Sequence, residues 1–491
     1  MVPPTSKYPI LYEINTRIWR QRFGAATRLL DIPDTYWQQL AALGVDYVWL
    51  MGVWQTGPNI LHYALDAGLQ QAYQQALPDW QEADIVGSPY AIDHYVLHPD
   101  LGAAGDLVRL KKRLHAVGLR LMLDFVPNHF HAETSLLRTH PEIFLEVTPD
   151  YLQRDPQTYY QPPGLNGRVF AHGKDPYFAA WQDTVQVNYA APAAREFMGD
   201  LLLQLAEQCD GLRCDMAMLA LPNVLAQTWG NALTTPHGER ADFWPAAIQR
   251  IRERYPNFVF LAEVYWNLEW MLQEQGFDYT YDKRLLDRIH QGNTQAIREH
   301  LWAGTDFQRR SARFLENHDE DRIRSVLPTD QAQAAALITY TIPGLRFFFQ
   351  GQWEGRRVRV PVQLGREPLE QEATNDRLFL GAIPLAQLPA FAPVSLSTAA
   401  FYDYLLQLLR EPTLQQGHWE MLELGNTAIL SWEWRWKDRR FLIVINHGTG
   451  VAEVALPSLS AGAWQHYQGE LVSAGPQRLM GFRWLVLHTT G

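Results

Sequence analysis

The sequence predicts a (β/α)8 barrel followed by an antiparallel β domain. Between residues 10 and 411, helix-period segments alternate with short apolar segments eight times, which is typical of a parallel sheet with helices outside it. The apolar segments are continuous rather than alternating, which indicates strands buried on both faces. A length of about 400 residues suits a barrel with insertions. A doubly wound open sheet is disfavoured, because no glycine-rich phosphate loop follows any strand.

The eight predicted strands follow one another at similar intervals. Each comes after a glycine or proline break that ends a helix-period segment, as in "AAGDLVRLKKRLHAVG" before the third strand. The sixth is the weakest, because it is short and contains little besides aspartate and tyrosine. In order, their sequences are ILYEIN (10–15), VDYVWLMGVW (45–54), LRLMLDFVPNH (119–129), LRCDMAML (212–219), FVFLAEVYW (258–266), FDYTYD (277–282), SARFLENHD (311–319) and LRFFFQGQ (345–352).

Two departures from this regularity predict further domains. The segment after the third strand is rich in Tyr, Pro and Gly and is too long for a simple loop, so it predicts an inserted subdomain. After the last helix the pattern changes to alternating polar and apolar residues, as in "AILSWEWRWKDRRFLIVINH", which predicts antiparallel strands. We therefore expect a catalytic barrel at 1–130 and 191–411, an inserted subdomain at 131–190 and a β-sandwich at 412–491.

Composition excludes several classes of partner. A net charge of −11 argues against nucleic acid, because phosphate binding needs a basic surface. No apolar run is long enough to span a membrane, and the N-terminus lacks the pattern of a secretory signal. The two cysteines, Cys209 and Cys214, are typical of buried free thiols in a reducing compartment. We expect a cytoplasmic protein; the sequence leaves its oligomeric state open.

Charged residues inside predicted strands indicate the functional site. Arg213 and Asp215 are two residues apart in one strand, so their side chains share a face. In a barrel the active site lies at the carboxyl ends of the strands. Polar residues at those ends of the third, fourth, fifth and seventh strands are Asp124, Asn128, His129, Arg213, Asp215, Glu263, Glu316, Asn317, His318 and Asp319.

Clustered carboxylates with cations and no metal-ligand spacing are typical of glycoside cleavage, which uses two carboxyl groups. An arginine beside Asp215 would keep that carboxylate ionised and oriented, as a nucleophile requires. Glu263 is flanked by Val264, Tyr265 and Trp266. We expect this apolar surrounding to raise the pKa of Glu263 and to keep it protonated as the acid.

Four segments resemble the signatures of the α-amylase clan, glycoside hydrolase family 13. In chain order they are DFVPNH, GLRCDMAML, FLAEV and FLENHD, on the third, fourth, fifth and seventh predicted strands. The resemblance implies that Asp215 is the nucleophile, Glu263 the general acid/base and Asp319 the acid that stabilises the transition state. It also implies that the sugar is bound by Arg213, His129, His318 and, from GSPYAIDHY (87–95), Tyr90, with Asp124 supporting Arg213.

Two features depart from that family. Met218 and Leu219 occupy the positions of a Lys-His pair that many members use at product subsites and for calcium. VQVNY (185–189) replaces the usual "xPDLN"-like run of the inserted subdomain. We therefore expect no required cofactor. A structural calcium, to which Asn128 could contribute a ligand, is disfavoured.

An arginine-rich loop follows the eighth strand. It is weakly similar to the maltosyltransferase and phosphorylase-like branches, which handle anionic sugars. The preferred interpretation is a solvated loop in which Arg356, Arg357 and Arg359 pair with Glu354 and Glu367.

These features predict a retaining α-glycosidase that acts on α-glucosidic bonds of malto-oligosaccharides or related α-glucans. An α-glucan transglycosylase of the same family is the alternative, since the acceptor, water or sugar, depends on loop shape. A non-catalytic scaffold of the same fold is disfavoured, because Asp215, Glu263 and Asp319 are all present.

Overall fold

The computed structural model describes most of the chain. Parts of the predicted barrel and β-sandwich, together with both chain ends, lie outside the described residues. The described residues are 7–57, 60–233, 241–370, 396–459, 462–467, 469, 471–472 and 475–489.

Eight parallel strands form a closed barrel, which confirms the predicted fold class. Each strand pairs with the next along the chain, and the eighth pairs with the first. The weak sixth segment supplies a barrel strand of three residues. The strands are β1 (Ile10–Asn15), β2 (Tyr47–Met51), β3 (Arg120–Phe125), β4 (Gly211–Cys214), β5 (Val259–Ala262), β6 (Tyr279–Tyr281), β7 (Ser311–Arg313) and β8 (Leu345–Phe349).

Eight of the described helices follow barrel strands and contribute buried residues to the core. α3 starts with proline, whose fixed φ suits the first helical turn, and α5, α6 and α8 have side-chain N-caps from Asp282, Asn293 and Ser397. These helices are α1 (Asp34–Ala42), α2 (Asp106–Ala116), α3 (Pro192–Gln208), α4 (Phe243–Arg254), α5 (Lys283–His290), α6 (Thr294–Leu301), α7 (Thr329–Tyr340) and α8 (Thr398–Leu409).

The other described helical elements occupy the connections. The α-helical ones are Thr16–Trp19, Leu61–Leu65, Ala67–Ala76, Leu136–Thr139, Pro149–Arg154, Pro222–Trp229, Glu269–Glu274, Thr305–Arg309, Ile323–Val326 and Pro412–Gln416. Single 3₁₀ turns lie at Arg20–Phe23, Leu29–Asp31, Glu82–Asp84, Pro141–Ile143, Ala217–Ala220 and Gly230–Ala232. No helix within the described ranges is long and apolar enough to cross a bilayer.

The segment between β3 and α3 contains two small antiparallel sheets. His129–His131 pairs with Thr184–Gln186, so the start and the end of this segment lie side by side at the barrel mouth. Val169–Ala171 is the middle strand between Glu146–Val147 and Tyr159–Tyr160. A further pair, Trp54–Thr56 with Ile92–Leu97, follows β2.

A five-stranded antiparallel sheet follows the barrel, as predicted. Its strands are β9 (His418–Leu422), β10 (Ile429–Trp436), β11 (Arg439–Asn446), β12 (Trp464–His466) and β13 (Trp484–Thr489), in the order β9-β10-β11-β13-β12. Ala452–Val454 pairs separately with Gln477–Leu479.

Buried polar contacts join this sheet to the amino-terminal ends of the barrel strands. The indole nitrogens of Trp432 and Trp434 donate to the hydroxyl (3.1 Å) and the carbonyl (2.7 Å) of Thr341, at the end of α7. Arg346, near the start of β8, is fully buried. Its guanidinium donates to the carbonyl oxygens of Tyr340, Tyr8, Leu409 and Leu414.

Candidate active site

The structure brings most of the predicted site residues to the carboxyl ends of the barrel strands. Asp124 and Arg213 lie in β3 and β4, while Asp215 and Glu263 each follow directly after a strand. These four side chains are buried, as are His129 and His318. Tyr90 is half-buried, and the side chain of Asp319 is 48% exposed at the mouth. The barrel therefore presents one carboxylate to solvent and buries the other three.

Arg213 is the centre of the cluster. Its Nη1 donates to Asp215 Oδ1 at 2.6 Å, and its Nη2 lies 2.8 Å from Glu263 Oε2. Asp124 Oδ1 is 3.9 Å from Nη1, and Asp124 Oδ2 accepts from the Gly52 backbone. The charged face of β4 thus points into the barrel, where one guanidinium contacts both carboxyl groups proposed for cleavage.

Aromatic rings enclose the same guanidinium. The rings of Trp49 and Tyr90 are each 5.3 Å from the Arg213 guanidinium carbon, and that of Tyr281 is 5.7 Å away. The Tyr281 hydroxyl is also hydrogen-bonded to Arg213 Nε at 3.2 Å. Such cation–π contacts are stronger when desolvated. They hold the arginine in place without neutralising its charge.

Glu263 has the environment of an acid that is protonated near neutral pH. Burial is the main cause that raises its pKa, to about 7; the negative charges of Asp215 and Asp319 act in the same direction, and Arg213 opposes them. Its Oε2 accepts from the Met216 backbone N–H at 2.7 Å, and its Oε1 accepts from the Tyr265 hydroxyl at 2.9 Å. The sequence predicted the raised pKa but not these two donors.

Burial also raises the pKa of Asp215 above its ordinary value. The charge of Arg213 and its hydrogen bond lower that pKa, in the predicted direction, but burial and the neighbouring Asp124 outweigh them. For Asp124 itself burial raises the pKa to about 6. The cluster thus holds three carboxyl groups around one guanidinium, and ionising all three at once is unfavourable.

His318 connects the seventh strand to the first. Its Nδ1 is 2.5 Å from Glu13 Oε1, and its Nε2 is 2.7 Å from the Tyr90 hydroxyl and 3.0 Å from Asp319 Oδ2. Burial alone would lower the pKa of His318, but the charges of Asp319 and Glu13 raise it well above its ordinary value. Desolvation likewise opposes ionisation of Asp319, yet His318 holds the pKa of that carboxyl at about 2.

Glu13 was missed by the sequence analysis. It is fully buried in β1 and contacts His318 at the mouth. The signal that identified Asp215, a charged residue inside an apolar strand, is also present in "ILYEIN". The signal is weaker here, because no second charged residue lies two positions away from Glu13, as Arg213 does from Asp215.

His129 lies at the edge of the cluster. Its ring is 5.3 Å from that of Trp181, and its Nδ1 is 3.4 Å from the Asn128 side-chain amide nitrogen. Burial lowers its pKa to about 4, so the ring is neutral at ordinary pH. A neutral imidazole both donates and accepts hydrogen bonds, in contrast to the charged His318.

The donor set around Asn128 does not fit calcium. Asn128 Oδ1 accepts a hydrogen bond from Gln186 Nε2 at 2.9 Å, which uses one of its two lone pairs. Calcium takes six to eight oxygen ligands, usually including carboxylates. Within the described ranges no three His, Cys, Asp or Glu side chains are grouped as metal ligands.

The positions that depart from the family pattern have clear structural roles. Met218 and Leu219 are buried in the core and cannot contact a ligand as a Lys-His pair would. In the loop after β8, Arg356 pairs with Glu367, as expected. Arg359 differs from expectation, since it bonds the Asp319 carbonyl and pairs with Asp321.

A cavity of about 420 Å³ lies next to the two hydrogen-bond donors of Glu263. Trp266 and Asn267, which line it, both have left-handed backbones, with φ of 63° and 65°. Two consecutive non-glycine residues in this region are strained, and such strain is concentrated at functional sites. The other lining residues are Asp175, Phe178, Met216, Tyr265, Glu269, Lys283, Arg284 and Asp287.

Comparison with known proteins agrees with this geometry. Residues 37–376 match the family of alpha-amylase catalytic domains. Alpha-amylase 3 of Dictyoglomus thermophilum is 22% identical over 481 residues, which cover 90% of this chain and 85% of the relative. Alpha-amylase MalA of Haloarcula japonica is 24% identical over 477 residues, with 94% of this chain but 58% of the relative covered.

Two further similarities differ in extent. An alpha-1,4-glucan:maltose-1-phosphate maltosyltransferase of Pseudomonas aeruginosa is 27% identical over an alignment of 219 residues, with 41% of this chain and 26% of that enzyme covered. The crystal structure of a maltogenic alpha-amylase, AmyB of Thermotoga neapolitana, superposes with a TM-score of 0.66 over 98% of both chains at 18% identity. The latter similarity concerns the fold.

Proposed function

Because the chain belongs to the alpha-amylase family, we propose that it is a retaining α-glycosidase that cleaves α-glucosidic bonds of malto-oligosaccharides or related α-glucans. One observation carries the proposal. A single buried arginine contacts both an aspartate and a glutamate at the barrel mouth, and the pKa of that glutamate is about 7. Double displacement requires two such carboxyl groups, one that acts as the nucleophile and one that acts as the acid.

In the first step Asp215 is the nucleophile. Its Oδ1 is bonded to Arg213, so Oδ2 attacks the anomeric carbon. The bond from that carbon to the leaving oxygen breaks, its electron pair stays on that oxygen, and the Glu263 proton is transferred to it. In the second step the Glu263 carboxylate removes a proton from water, whose oxygen attacks the same carbon and releases Asp215.

The remaining predicted residues would bind the sugar ring that is cleaved. Tyr90 is stacked on His318, with ring centroids 5.4 Å apart, and such an aromatic face suits the apolar side of a sugar. Asp319, Arg213, His318 and His129 offer polar groups beside it. Asp124 and Glu13 act through the cations that they contact.

Stereochemistry tests this proposal directly. Two displacements at one carbon restore its configuration, so the first-formed product should be the α-anomer. Proton NMR during the first minutes of hydrolysis of maltoheptaose distinguishes the anomers before mutarotation. An initial β-anomer would exclude a covalent intermediate on Asp215.

Transfer to a sugar rather than to water is the alternative. It is favoured by the partial similarity to maltosyltransferases, and by the cavity lined by Met216 and Tyr265, the two donors to Glu263, which could hold an acceptor. Product analysis over time on maltoheptaose, with and without inorganic phosphate, separates the cases. Longer oligosaccharides indicate transfer to sugar, and a sugar phosphate indicates transfer to phosphate.

We also propose that the protein works in a reducing compartment such as the cytoplasm. Cys209 and Cys214 are both free and buried. Burial raises the pKa of both thiols, which makes them inert. Fractionation of the native host, followed by detection of the protein, would test the location.

A further inference from the structure

We infer that Tyr265 is a positioning residue that holds the catalytic proton of Glu263 on Oε1, the oxygen that transfers it to the leaving group. The inference rests on the proposed function, because it assigns a role within that reaction. It starts from the unequal surroundings of the two oxygens of Glu263.

Oε2 is surrounded by groups that only donate hydrogen bonds. The Met216 N–H donates to it at 2.7 Å, and the Arg213 guanidinium lies 2.8 Å away. Neither a backbone N–H nor a guanidinium can accept a hydrogen bond. A proton on Oε2 would therefore face two donors, so protonation of Glu263 is directed to Oε1.

The backbone at Met216 makes this arrangement possible. Met216 has a φ of 39°, a left-handed conformation that is uncommon for a residue other than glycine. It follows the nucleophile Asp215 directly, and its N–H donates to the side chain of the acid rather than to a backbone carbonyl of a neighbouring strand. The strained residue therefore links the two catalytic carboxyl groups through the chain itself.

Oε1 has a partner of a different kind. The Tyr265 hydroxyl lies 2.9 Å from it, and a phenol can both donate and accept. When Glu263 is protonated, Tyr265 can accept from Oε1–H; once the proton has passed to the leaving oxygen, the Tyr265 O–H donates to the carboxylate. Tyr265 thus stabilises the Glu263 carboxylate that forms in the first displacement.

The charged groups around Glu263 do not replace Tyr265 as the partner of Oε1. Arg213 and Asp215 face Glu263 from β4 and its end, Tyr281 from β6 and Asp319 from the end of β7. Arg213 contacts Oε2 and favours the ionised carboxyl group, but a guanidinium cannot accept a proton that is bound to Oε1. Tyr265 also lines the cavity of about 420 Å³, together with Met216, the other donor to Glu263.

The test is Tyr265→Phe, with Tyr281→Phe as the matched control. Tyr281 also presents a hydroxyl to the cluster, but to Arg213 Nε rather than to Glu263. For each variant kcat/KM is measured on a series of aryl α-maltosides of graded leaving-group pKa and on α-glucosyl fluoride. The pH profile and the melting temperature are recorded alongside.

For Tyr265→Phe we expect kcat/KM to fall about tenfold for the poorest leaving groups, a part of the usual contribution of a general acid, and to stay near the unmodified value for the fluoride. The alkaline limb of the pH profile of kcat/KM should move to higher pH by roughly half to one unit. The pKa of Glu263 rises in this variant, because its carboxylate loses a charge-assisted hydrogen-bond donor. Tyr281→Phe should change kcat/KM by a similar factor for all substrates.

Several results would overturn the inference. One is a fall in kcat/KM of Tyr265→Phe that is equal for all leaving groups, together with an unchanged alkaline limb of its pH profile. A purely structural role of Tyr265 predicts this result. Another is the same leaving-group dependence in both variants. If the unmodified protein cleaves none of these substrates, the proposed function fails, which is a different outcome from an active enzyme that does not need Tyr265.

Discussion

Arg213 and Arg346 are both fully buried arginines of barrel strands, yet they serve opposite ends of the barrel. Arg213 faces the carboxyl ends and contacts carboxylates, whose charges raise its pKa well above the ordinary value despite burial. Arg346 lies near the amino end of β8 and donates to carbonyl oxygens. With few charges nearby, burial lowers its pKa to about 10.

The difference shows that the partners of a buried cation decide what it does. Carboxyl partners shift one another's pKa, and at Glu263 this results in a group that exchanges protons near pH 7. Carbonyl partners do not titrate, so they connect pieces of backbone. We therefore expect changes at the carboxyl ends to alter chemistry and changes at the amino ends to alter stability.

The largest expected effect is on the nucleophile. Asp215→Asn should lower kcat/KM by ~10⁴-fold or more on every substrate, because no other group can form the covalent bond. Asp210→Asn is the matched control, since Asp210 lies before the same strand and bonds the Leu121 backbone and His115. The control should keep the kcat/KM of the unmodified protein. Substantial activity in Asp215→Asn would show that Asp215 is not the nucleophile.

Glu263→Gln should be nearly as severe for natural substrates but selective. Loss of the general acid costs about 10² to 10⁴-fold on malto-oligosaccharides. α-Glucosyl fluoride needs little protonation, so its first step should be spared and a glycosyl-enzyme should accumulate, detectable by mass spectrometry. If Glu263→Gln lowers both rates equally while Asp215→Asn spares the fluoride, the two roles are reversed.

At the other end of the barrel, Arg346→Met should lower the free energy of unfolding without changing catalysis. Carbonyl oxygens left buried without a donor cost about 1 to 3 kcal/mol each, reduced where water enters. We expect a loss of about 3 kcal/mol by denaturant titration and an unchanged kcat/KM below the transition. A folded variant with low activity would show that the two ends are coupled.

The free energy of unfolding should depend on pH through Glu263, at the carboxyl ends of the barrel strands. The pKa of Glu263 is higher in the folded chain than in the unfolded one, so folding takes up a proton between its ordinary value of 4.5 and about 7. The stability that Glu263 contributes at low pH is therefore lost as pH rises through this window. Measured by denaturant titration, the unfolding free energy of Glu263→Gln should decline less than that of the unmodified protein. An identical decline would contradict the raised pKa.

Chelation should have the smallest effect. Since Asn128 Oδ1 is already bonded to Gln186, prolonged treatment with EDTA should leave both kcat/KM and the melting temperature nearly unchanged. A large loss that calcium restores, with magnesium as the control, would show that the inserted segment binds a metal.

The two arginines also explain how far sequence reasoning reaches. The partners of Arg213 are side chains, so their residue types are visible in sequence, and the strand order brings them together. The partners of Arg346 are backbone carbonyls, which every residue has, so no pattern predicts them. Glu13 and Tyr265 lie between these cases, because their types are visible but their contacts depend on the closed barrel.

The two indole contacts with Thr341 have a practical consequence for protein engineering. Trp432 and Trp434 are fully buried against the barrel, and Arg346 reaches Leu414, beyond the last barrel helix. The C-terminal sheet is therefore not a detachable module. A chain truncated after α8 should be insoluble or aggregate, and a chimera that takes its sheet from a relative needs indole donors at positions 432 and 434 to match Thr341.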